Sequence, residues 1–585
     1  MLGSSSEELL TFLLVLTGAV SCMVTYPEDW RRCFSHCAYI PGAAKIAEDA
    51  ARPFTVTNLG PVEGEWRTSF GGRKYASFEG IPYAKPPVGD LRFEEPQPVE
   101  PWSGIWNATR IYKCPQTHML AKSMPKEAGL GHYQGEEDCL YLNVYVPVTT
   151  ESKKLDVVVH IHGGAYVAGW SNEYLGEKYV MDRDIILVSL NYRIGALGFL
   201  STEDDVVPGN NGLKDQTLAL KWIQDNIEWF NGNPKSVTIT GFSAGATSVH
   251  FHYLSSYSKG LFHRGMSLSG SALSHWAVRL GPLKKAQKLA TLLGCETENT
   301  KVMVKCLKSR PASQIVIQTD EMHEVGCLPF SLFVPVVDKQ AKRPFLEDLP
   351  ENLLKAGKVL DVPWMASFNH DEGLLLSIVL KPFIRVLNQL WSHIGTAILH
   401  TDDVPTSFQQ TALQKVKQHY ATTGEDLSFD DLTKLGTDAL MKYGVERAIK
   451  LQSAVVQSPV YYYRFGYEGQ NSLKLLFAKE KIQGTCHGDD MVYFFGGIII
   501  MPLSDDEIKM KDVCLDILYT YAHGRVPRAL DKDWTPTSKS LEYHDILGPE
   551  TIEVKSKSDH ADTDFWKQIM ILDKSYLQAH VKDEL

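Results

Sequence analysis

Short apolar, β-branched segments alternate with helical segments through most of this chain. The apolar segments include 156–161, 185–190, 236–240, 266–268, 362–368 and 460–465. Between the second and third of these, residues 216–230 place apolar side chains at the spacing of an amphipathic helix. Such alternation over hundreds of residues predicts an α/β fold with a large, mostly parallel central sheet and helices on both faces. Ligands of such sheets bind beyond the carboxyl ends of the strands.

One predicted strand-to-helix junction carries a serine between two glycines. The stretch 240–248 reads TGFSAGATS, which places Ser243 between Gly241 and Gly245. A β-branched strand precedes it, and residues 244–254 favour a helix. On so sharp a corner the serine takes an unfavourable backbone conformation, and its neighbours two residues away must be small. The pattern predicts a nucleophile elbow, with a glycine-rich loop of no special chemistry as the alternative.

A serine nucleophile needs a base, and the base needs an acid that orients it. His487 has small and polar neighbours in GTCHGDD (484–490), which favour an exposed loop. A loop histidine with no role is the alternative. The acid candidates are Asp371 and Glu372, which both lie just past the strand 362–368. The pattern of residues leaves the choice between these two carboxylates open.

Donors for a tetrahedral oxyanion are expected in the loop after strand 156–161. This loop reads HGGAY (162–166), and its small residues let backbone N–H groups turn toward a negative oxygen. The N–H of Ala244, immediately after the serine, adds a further donor. A plain turn is the alternative interpretation of the HGG stretch.

The two ends of the sequence predict a route through the secretory pathway. An apolar run at 9–20 predicts a signal peptide over residues 1–21, and it is too short for stable membrane insertion. The last four residues, 582–585, read KDEL and predict retention in the endoplasmic reticulum lumen, with the KDEL receptor as partner and secretion as the alternative. The sequon at Asn107 predicts a glycan on this route. Residues 22–52 have no predicted role.

Ten cysteines fit an oxidising compartment. Short loops favour two disulfides, Cys114–Cys139 and Cys295–Cys306. Six further cysteines are left without a predicted partner: Cys22, Cys33, Cys37, Cys327, Cys486 and Cys514. No Cys-x-x-Cys pair occurs, so no metal site is predicted. The net charge of −11 gives no support for nucleic acid or an anionic membrane as partner.

Seven stretches together resemble the type-B carboxylesterase/cholinesterase family of α/β hydrolases. Their local sequences are most similar to those of insect carboxylesterases, including venom carboxylesterases. They are EDCLYLNVY (137–145), HIHGGAYVAG (160–169), NYRIGALGFL (191–200), GNNGLKDQ (209–216), GFSAGATS (241–248), HDEG (370–373) and CHGDD (486–490). The resemblance covers roughly residues 53–575, which we expect to form one hydrolase domain.

The resemblance implies roles for individual residues. Ser243 is the expected nucleophile, His487 the base and Glu372 the acid, because the family's glutamate precedes a glycine. The oxyanion donors implied by the resemblance are the N–H groups of Gly164, Ala165 and Ala244. The two disulfides match the family's pattern, and its buried salt bridges map to Arg92–Glu137 and Arg193–Asp215. No metal or organic cofactor is implied.

Two departures from the family's branches narrow the expected substrate. The stretch from Cys114 to Cys139 contains no tryptophan that could receive a quaternary ammonium, which argues against a choline ester. Phe242 stands before the serine where the juvenile-hormone esterase branch typically has glutamine. We therefore predict a serine carboxylesterase that hydrolyses small-molecule carboxylic esters through an acyl-enzyme. A juvenile-hormone esterase is a narrower alternative, and a non-catalytic adhesion-like or ligand-sequestering protein is a different one.

Overall fold

The computed structural model describes residue 46 and residues 50–117, 133–150, 153–173, 175–323, 328, 331–401, 406–478, 481–497, 501–538, 540–556 and 563–569. The signal peptide expected at 1–21, nearly all of segment 22–52 and the tail 582–585 lie outside the described residues. Those three assignments, and the proposed limits of the hydrolase domain at 53 and 575, stay predictions.

The described strands and helices alternate along the chain. The strands are β1 (Phe54–Thr57), β2 (Gly60–Glu63), β3 (Glu65–Thr68), β4 (Lys74–Pro82), β5 (Trp106–Asn107), β6 (Tyr141–Pro147), β7 (Leu155–Ile161), β8 (Ile185–Leu190), β9 (Gly232–Phe242), β10 (Arg264–Leu268), β11 (Trp364–Asn369), β12 (Val460–Phe465), β13 (Arg528–Ala529), β14 (Lys532–Asp533), β15 (Glu542–Gly548) and β16 (Thr551–Ser556). The α-helices are Glu177–Val180, Gly195–Phe199, Asn211–Asn226, Ala244–Tyr253, Pro282–Leu292, Thr300–Lys308, Ala312–Asp320, Pro350–Lys355, Leu374–Leu380, Ile384–Gln389, Trp391–Ile398, Thr406–Tyr420, Phe429–Gly436, Tyr443–Gln452, Asp489–Phe494, Asp505–Ala522 and Thr563–Ile569.

Among the described residues, eleven strands form one sheet in the order β16-β15-β12-β11-β10-β9-β7-β8-β6-β4-β3. The strands from β15 through β8 in this order pair in parallel. Antiparallel strands flank them, with β16 at one edge and β6, β4 and β3 at the other. The predicted large, mostly parallel sheet is confirmed.

Helices cover both faces of this sheet, because its central strands are apolar on both sides. In β7, Val157 and Val159 belong to one core, and Val158 between them belongs to a second core. Helix Ala244–Tyr253 contributes Val249 and Phe251 to the first core, and helix Asp505–Ala522 contributes to the second. Strands buried on both faces read as continuous apolar runs, which is how they were recognised in the sequence.

Several element boundaries differ from the sequence-based expectation, and two of these differences have a clear physical reason. The helix expected at 216–230 begins at Asn211, and its last four residues form a 3-10 turn, Ile227–Phe230. The residue before it, Asn210, is buried and exchanges two hydrogen bonds with the distant Val336 backbone, a tertiary contact that leaves no local signal. Strand β11 begins at Trp364 rather than 362, because Pro363 cannot donate to the sheet ladder.

Two disulfides and two buried ion pairs lie where the sequence and the resemblance put them. Cys114 is joined to Cys139 with 5.0 Å between Cα atoms, and Cys295 to Cys306 with 5.7 Å. Arg92 forms a double hydrogen bond with Glu137, and Arg193 does so with Asp215. Cys486 and Cys514 are buried free thiols, and the four other cysteines named above lie outside the described residues.

The predicted glycosylation site and the apolar character of the helices are the features that concern the secretory predictions. Asn107 is exposed on β5, so its side chain is accessible to a glycosylating enzyme, and the glycan itself stays a prediction. Within the described ranges, no helix has both the length and the apolar character that crossing a bilayer requires.

Candidate active site

The candidate site lies where the chain changes direction across the sheet. From β7 the chain continues to the neighbouring β8 and then returns to β9, on the other side of β7. In open α/β sheets the crevice at such a point, beyond the carboxyl ends of the strands, is where ligands bind. The loop 162–166 follows β7 and the residue Ser243 follows β9, so both lie at this crevice.

Ser243 alone forms the corner between strand β9 and helix Ala244–Tyr253. Its backbone has φ 56° and ψ −118°, a strained conformation for a residue other than glycine. A β-carbon on Gly245 would lie 2.0 Å from the carbonyl oxygen of Ile161, and one on Gly241 would lie 2.3 Å from the carbonyl carbon of Gly245. The two flanking glycines are therefore required by close backbone packing, and the predicted strand–turn–helix corner is present.

Three side chains singled out from the sequence form one hydrogen-bonded series. The Nε2 atom of His487 lies 3.0 Å from Oγ of Ser243. The other ring nitrogen, Nδ1, hydrogen-bonds to Oε2 of Glu372. These three residues come from segments 115 and 129 residues apart in the chain and meet only because the sheet aligns the ends of their strands.

The loop of His487 is packed into the protein rather than exposed, which corrects the sequence-based expectation. The residue is 7 % exposed, and Ser243 is 8 % exposed. The small residues that suggested exposure are there for close packing: a β-carbon on Gly488 would lie 2.8 Å from the Phe242 ring, and one on Gly484 would lie 2.8 Å from Oδ2 of Asp371. Small and polar neighbours indicated a turn correctly but gave no information about its burial.

The structure distinguishes the two neighbouring carboxylates by direction. Glu372 faces His487, and its second oxygen, Oε1, accepts the backbone N–H of Asn369 at 2.7 Å and the Ser269 hydroxyl at 2.5 Å. Asp371 points to the other side of the turn, where its Oδ2 accepts the N–H of Thr485 at 3.0 Å. Glu372 is therefore the carboxylate that is able to orient the imidazole.

The loop after β7 presents free backbone donors beside the serine. Among the described residues, neither Gly164 nor Ala165 donates its N–H to another group. Gly164 has φ 103° and Ala165 has φ 53°, so this loop runs through the left-handed region. Ala244 is the first residue of its helix, where the N–H has no partner within the helix. The three N–H groups named from the resemblance thus lie on the two turns that border the Ser243 hydroxyl.

Buried ionisable groups shape the charge around the imidazole. Burial, with the charge of Glu372 as a second cause, raises the pKa of Asp490 to about 7. Tyr463 donates its hydroxyl to this carboxyl at 3.2 Å. At this raised pKa Asp490 is partly protonated near neutral pH, which reduces its own negative charge beside Glu372. In the loop after β7, burial lowers the pKa of His162 to about 4, and its neutral ring donates Nδ1–H to the Gly163 carbonyl at 2.8 Å.

A cavity of about 100 Å³ opens beside Ser243. Most of its lining is apolar, and the apolar side chains that contribute are Ala165, Phe242, Trp276, Leu375, Leu376, Leu440, Met441, Leu473 and Phe477. Leu440 and Met441 come from a π-helical turn, Thr437–Lys442, a helix irregularity that is frequent at functional sites. Across the described part of the chain, no three His, Cys, Asp or Glu side chains are grouped as they would be around a metal ion.

Sequence reasoning did not identify Ser269, Asp490 or the large apolar side chains that line the cavity. Of these residues, Ser269 is the one that the sequence could have indicated, because it directly follows strand β10 at the same edge of the sheet as Ser243. The cavity residues come from helices far apart in the chain, and their apolar side chains resemble those of any core. Their position in the site is a property of the assembled structure.

Comparisons with known proteins identify the family of this chain. A model of the carboxylesterase family matches residues 51–566. A carboxylic ester hydrolase of Bombus ignitus is 38 % identical over 530 residues, which cover 88 % of this chain and 94 % of that protein. Venom carboxylesterase-6 of Apis mellifera is 35 % identical over 535 residues, covering 89 % and 95 %. The crystal structure of juvenile hormone esterase from Manduca sexta, with OTFP covalently attached, superposes with a TM-score of 0.78 at 26 % identity and covers 89 % of this chain and 99 % of that one. The chain belongs to the carboxylesterase family of α/β hydrolases and is a serine carboxylesterase.

Proposed function

We propose that Ser243 is the nucleophile of the esterase reaction, His487 its general base and Glu372 the acid that orients the base. The observation that carries this proposal is the 3.0 Å contact between Nε2 of His487 and Oγ of Ser243, with Glu372 bound to the opposite ring nitrogen. Because Glu372 accepts from Nδ1, the neutral ring carries its proton there and leaves Nε2 free to accept one from the serine.

Acylation begins when His487 takes the hydroxyl proton and Oγ of Ser243 bonds to the ester carbonyl carbon. The negative oxygen of the tetrahedral intermediate accepts hydrogen bonds from the N–H groups of Gly164, Ala165 and Ala244. The imidazolium then gives its proton to the leaving alcohol as the carbon–oxygen bond breaks, which leaves the acyl group on Ser243. In deacylation, water takes the place of the alcohol and the same proton transfers release the carboxylate.

The lining of the cavity supports apolar esters as the substrates. Nine apolar side chains border the space beside Ser243, and Glu372 is hydrogen-bonded to His487. An acyl or alcohol group that carries a charge would lose its hydration against this mostly apolar lining, which costs free energy. A series of neutral esters of increasing chain length, compared with a charged ester of equal size, tests this preference by kcat/KM.

Replacement of Ser243 by alanine tests the proposed nucleophile. We expect kcat to fall by a factor on the order of 10⁴–10⁶, because the group that forms the acyl-enzyme is removed. Covalent labelling by an organophosphate probe should disappear as well. Circular dichroism and thermal unfolding provide the control for folding. A variant that kept a tenth of the wild-type turnover, or still took up the probe, would exclude Ser243 as the nucleophile.

The kinetics of the wild-type enzyme separate turnover from sequestration. A turnover enzyme releases product steadily over many equivalents, whereas a sequestering protein releases a burst equal to its own concentration and then almost stops. We expect steady release. A burst followed by negligible turnover, with every ester of the series, would support the sequestering alternative.

A further inference from the structure

The residue before the nucleophile makes a ring contact with the catalytic imidazole. The centroid of the Phe242 ring lies 4.7 Å from the centroid of the His487 ring, and the two planes are tilted by 36°. Phe242 is 3 % exposed, so no water layer separates its ring from the protein around it. The ring covers one side of the imidazole, while the two nitrogens of that imidazole are directed at Ser243 and Glu372.

The same ring also fills the space between the two loops that carry the base and the oxyanion donors. On one side, a β-carbon on Gly488 would lie 2.8 Å from Cζ of Phe242. On the other side, a β-carbon on Gly163 would lie 3.0 Å from Cδ1 of the same ring. Gly488 directly follows His487, and Gly163 directly precedes Gly164. Phe242 is therefore packed against the neighbours of both functional residues, and its own position is fixed by strand β9.

We propose that Phe242 is a positioning residue for the esterase reaction: its ring holds the imidazole of His487 in line with Ser243 and stabilises the imidazolium that forms during acylation. This inference rests on the proposed role of His487 as general base. It concerns a contact of this chain that is separate from the hydrogen bonds among Ser243, His487 and Glu372.

Two physical effects combine in this contact. Packing against a rigid ring limits rotation of the imidazole, and small misplacements of a catalytic group cost up to about 10² in rate. The face of an aromatic ring also attracts a cation, which an alkyl side chain of similar size does not. A leucine at position 242 would keep water away from the imidazole but would remove the attraction for the imidazolium.

Other groups that influence the imidazole stay in place when position 242 is changed. Glu372 binds Nδ1, and Asp490 and Asp489 begin the helix that follows the His487 loop. Cys486 precedes the histidine and is buried as a free thiol, and His400 lines the same cavity. Because none of these groups is altered, a change in the pH dependence of kcat/KM in Phe242→Leu is caused by the loss of the Phe242 ring.

The test measures kcat, KM and the pH profile of kcat/KM for Phe242→Leu on one neutral ester. We expect kcat to fall on the order of tenfold or more, with KM changed far less. We also expect the acidic limb of the profile to move to lower pH by about half a unit, because a less stabilised imidazolium releases its proton more readily. Phe242→Met fills a similar volume without an aromatic face, and we expect the same changes in kcat and pH profile from it. This second variant provides the test if Phe242→Leu folds poorly.

Two controls separate the possible outcomes. Phe230→Leu makes the same substitution at a buried ring that contacts Phe78 and Trp222, and it should leave the pH profile unchanged. His487→Ala tests the base itself. If His487→Ala stays active, the proposed base is wrong. If His487→Ala is inactive but both Phe242 variants keep the wild-type kcat and acidic limb, or move that limb upward, the proposed role of Phe242 alone is overturned.

Discussion

At the scale of single residues, the site is held by directional contacts from separate segments. Glu372 is bound by a backbone N–H at the end of β11, by the Ser269 hydroxyl after β10 and by the imidazole of His487. Because both of its oxygens are occupied, the carboxylate has a defined orientation. In the proposed mechanism the charge of Glu372 is opposed by the imidazolium of His487, so we expect the loss of this carboxylate to affect both the tautomer of the imidazole and the electrostatics.

The two neighbouring carboxylates provide a matched comparison. We expect Glu372→Gln to lower kcat by roughly 10²-fold or more, because the amide cannot balance the imidazolium charge. Asp371→Asn should change kcat far less, since its carboxyl accepts a backbone N–H of Thr485, and an amide oxygen still accepts it. Steady-state kinetics of the two variants on one ester show which of the two carboxylates orients the imidazole. Equal losses, or a larger loss for Asp371→Asn, would contradict the orientation described for Glu372.

Asp490 predicts a pH dependence of stability. Burial raises its pKa in the folded protein to about 7 from an ordinary 3.8, so folding favours the protonated form. The stability that this carboxyl contributes is fully present below about pH 4 and is lost as the pH rises through 7. Asp490→Asn, which mimics the neutral form, should show a smaller fall in the free energy of unfolding between pH 4.5 and 8, measured by denaturant titration.

The exposed Asp430 supplies the control for this measurement. Asp430→Asn should follow the wild-type curve of stability against pH. If Asp490→Asn also runs parallel to the wild type over that range, the carboxyl of Asp490 is already ionised in the folded protein and the prediction is wrong.

At the scale of elements, two turns determine the geometry of the reaction. The corner at Ser243 is short because strand β9 and helix Ala244–Tyr253 leave one residue between them. The loop after β7 depends on Gly164, where a β-carbon would lie 2.1 Å from the carbonyl oxygen of Ala168. Both turns place small residues where backbone must approach backbone, and among the residues that the structure describes, both leave N–H groups without hydrogen-bond partners inside the site.

The Ala165 methyl group gives a prediction about this loop. Ala165 lines the cavity beside Ser243, and we expect its methyl group to crowd the space beside the scissile carbonyl. Esters of tertiary alcohols should then be poorer substrates than matched primary esters, and Ala165→Gly should narrow that gap. The backbone tolerates the change, because φ at this residue is 53°, a value that glycine adopts freely. A ratio of kcat/KM values that does not change in the variant would show that selectivity is set elsewhere in the cavity.

At the scale of the whole molecule, one sheet organises the cores and the site together. The parallel strands from β15 to β8 separate two apolar cores, and their carboxyl ends carry the loops of the site. The disulfides and the exposed Asn107 are compatible with an oxidising compartment.

Deletion of residues 582–585 tests the predicted retention in the endoplasmic reticulum. A retrieval receptor reads this tetrapeptide at a free end, so the full-length enzyme should stay in cells and the deletion should appear in the medium. Glycans of the secreted form should mature beyond the high-mannose stage. A variant with the tetrapeptide replaced by four alanines provides the control for chain length. Secretion of the full-length enzyme as efficient as that of the deletion would contradict retention.

The sequence by itself determined the fold class, the nucleophile corner and the candidates for base and oxyanion donors. These features depend on short stretches of sequence. Continuous apolar runs indicate strands buried on both faces, and Gly-x-Ser-x-Gly at a strand end indicates a sharp turn. The choice of Glu372 over Asp371 came from the family resemblance, since the two residues are equivalent by position along the chain.

Only the tertiary structure decided which way those two carboxylates point, how deeply the His487 loop is buried, and which side chains line the cavity. Ser269 contacts Glu372, Phe242 contacts His487 and Asp490 lies near Glu372, each across different strands and loops. Such contacts exist only once the sheet has aligned the strand ends. Distances and burial depend on residues that are far apart in the chain, and no short stretch of sequence records them.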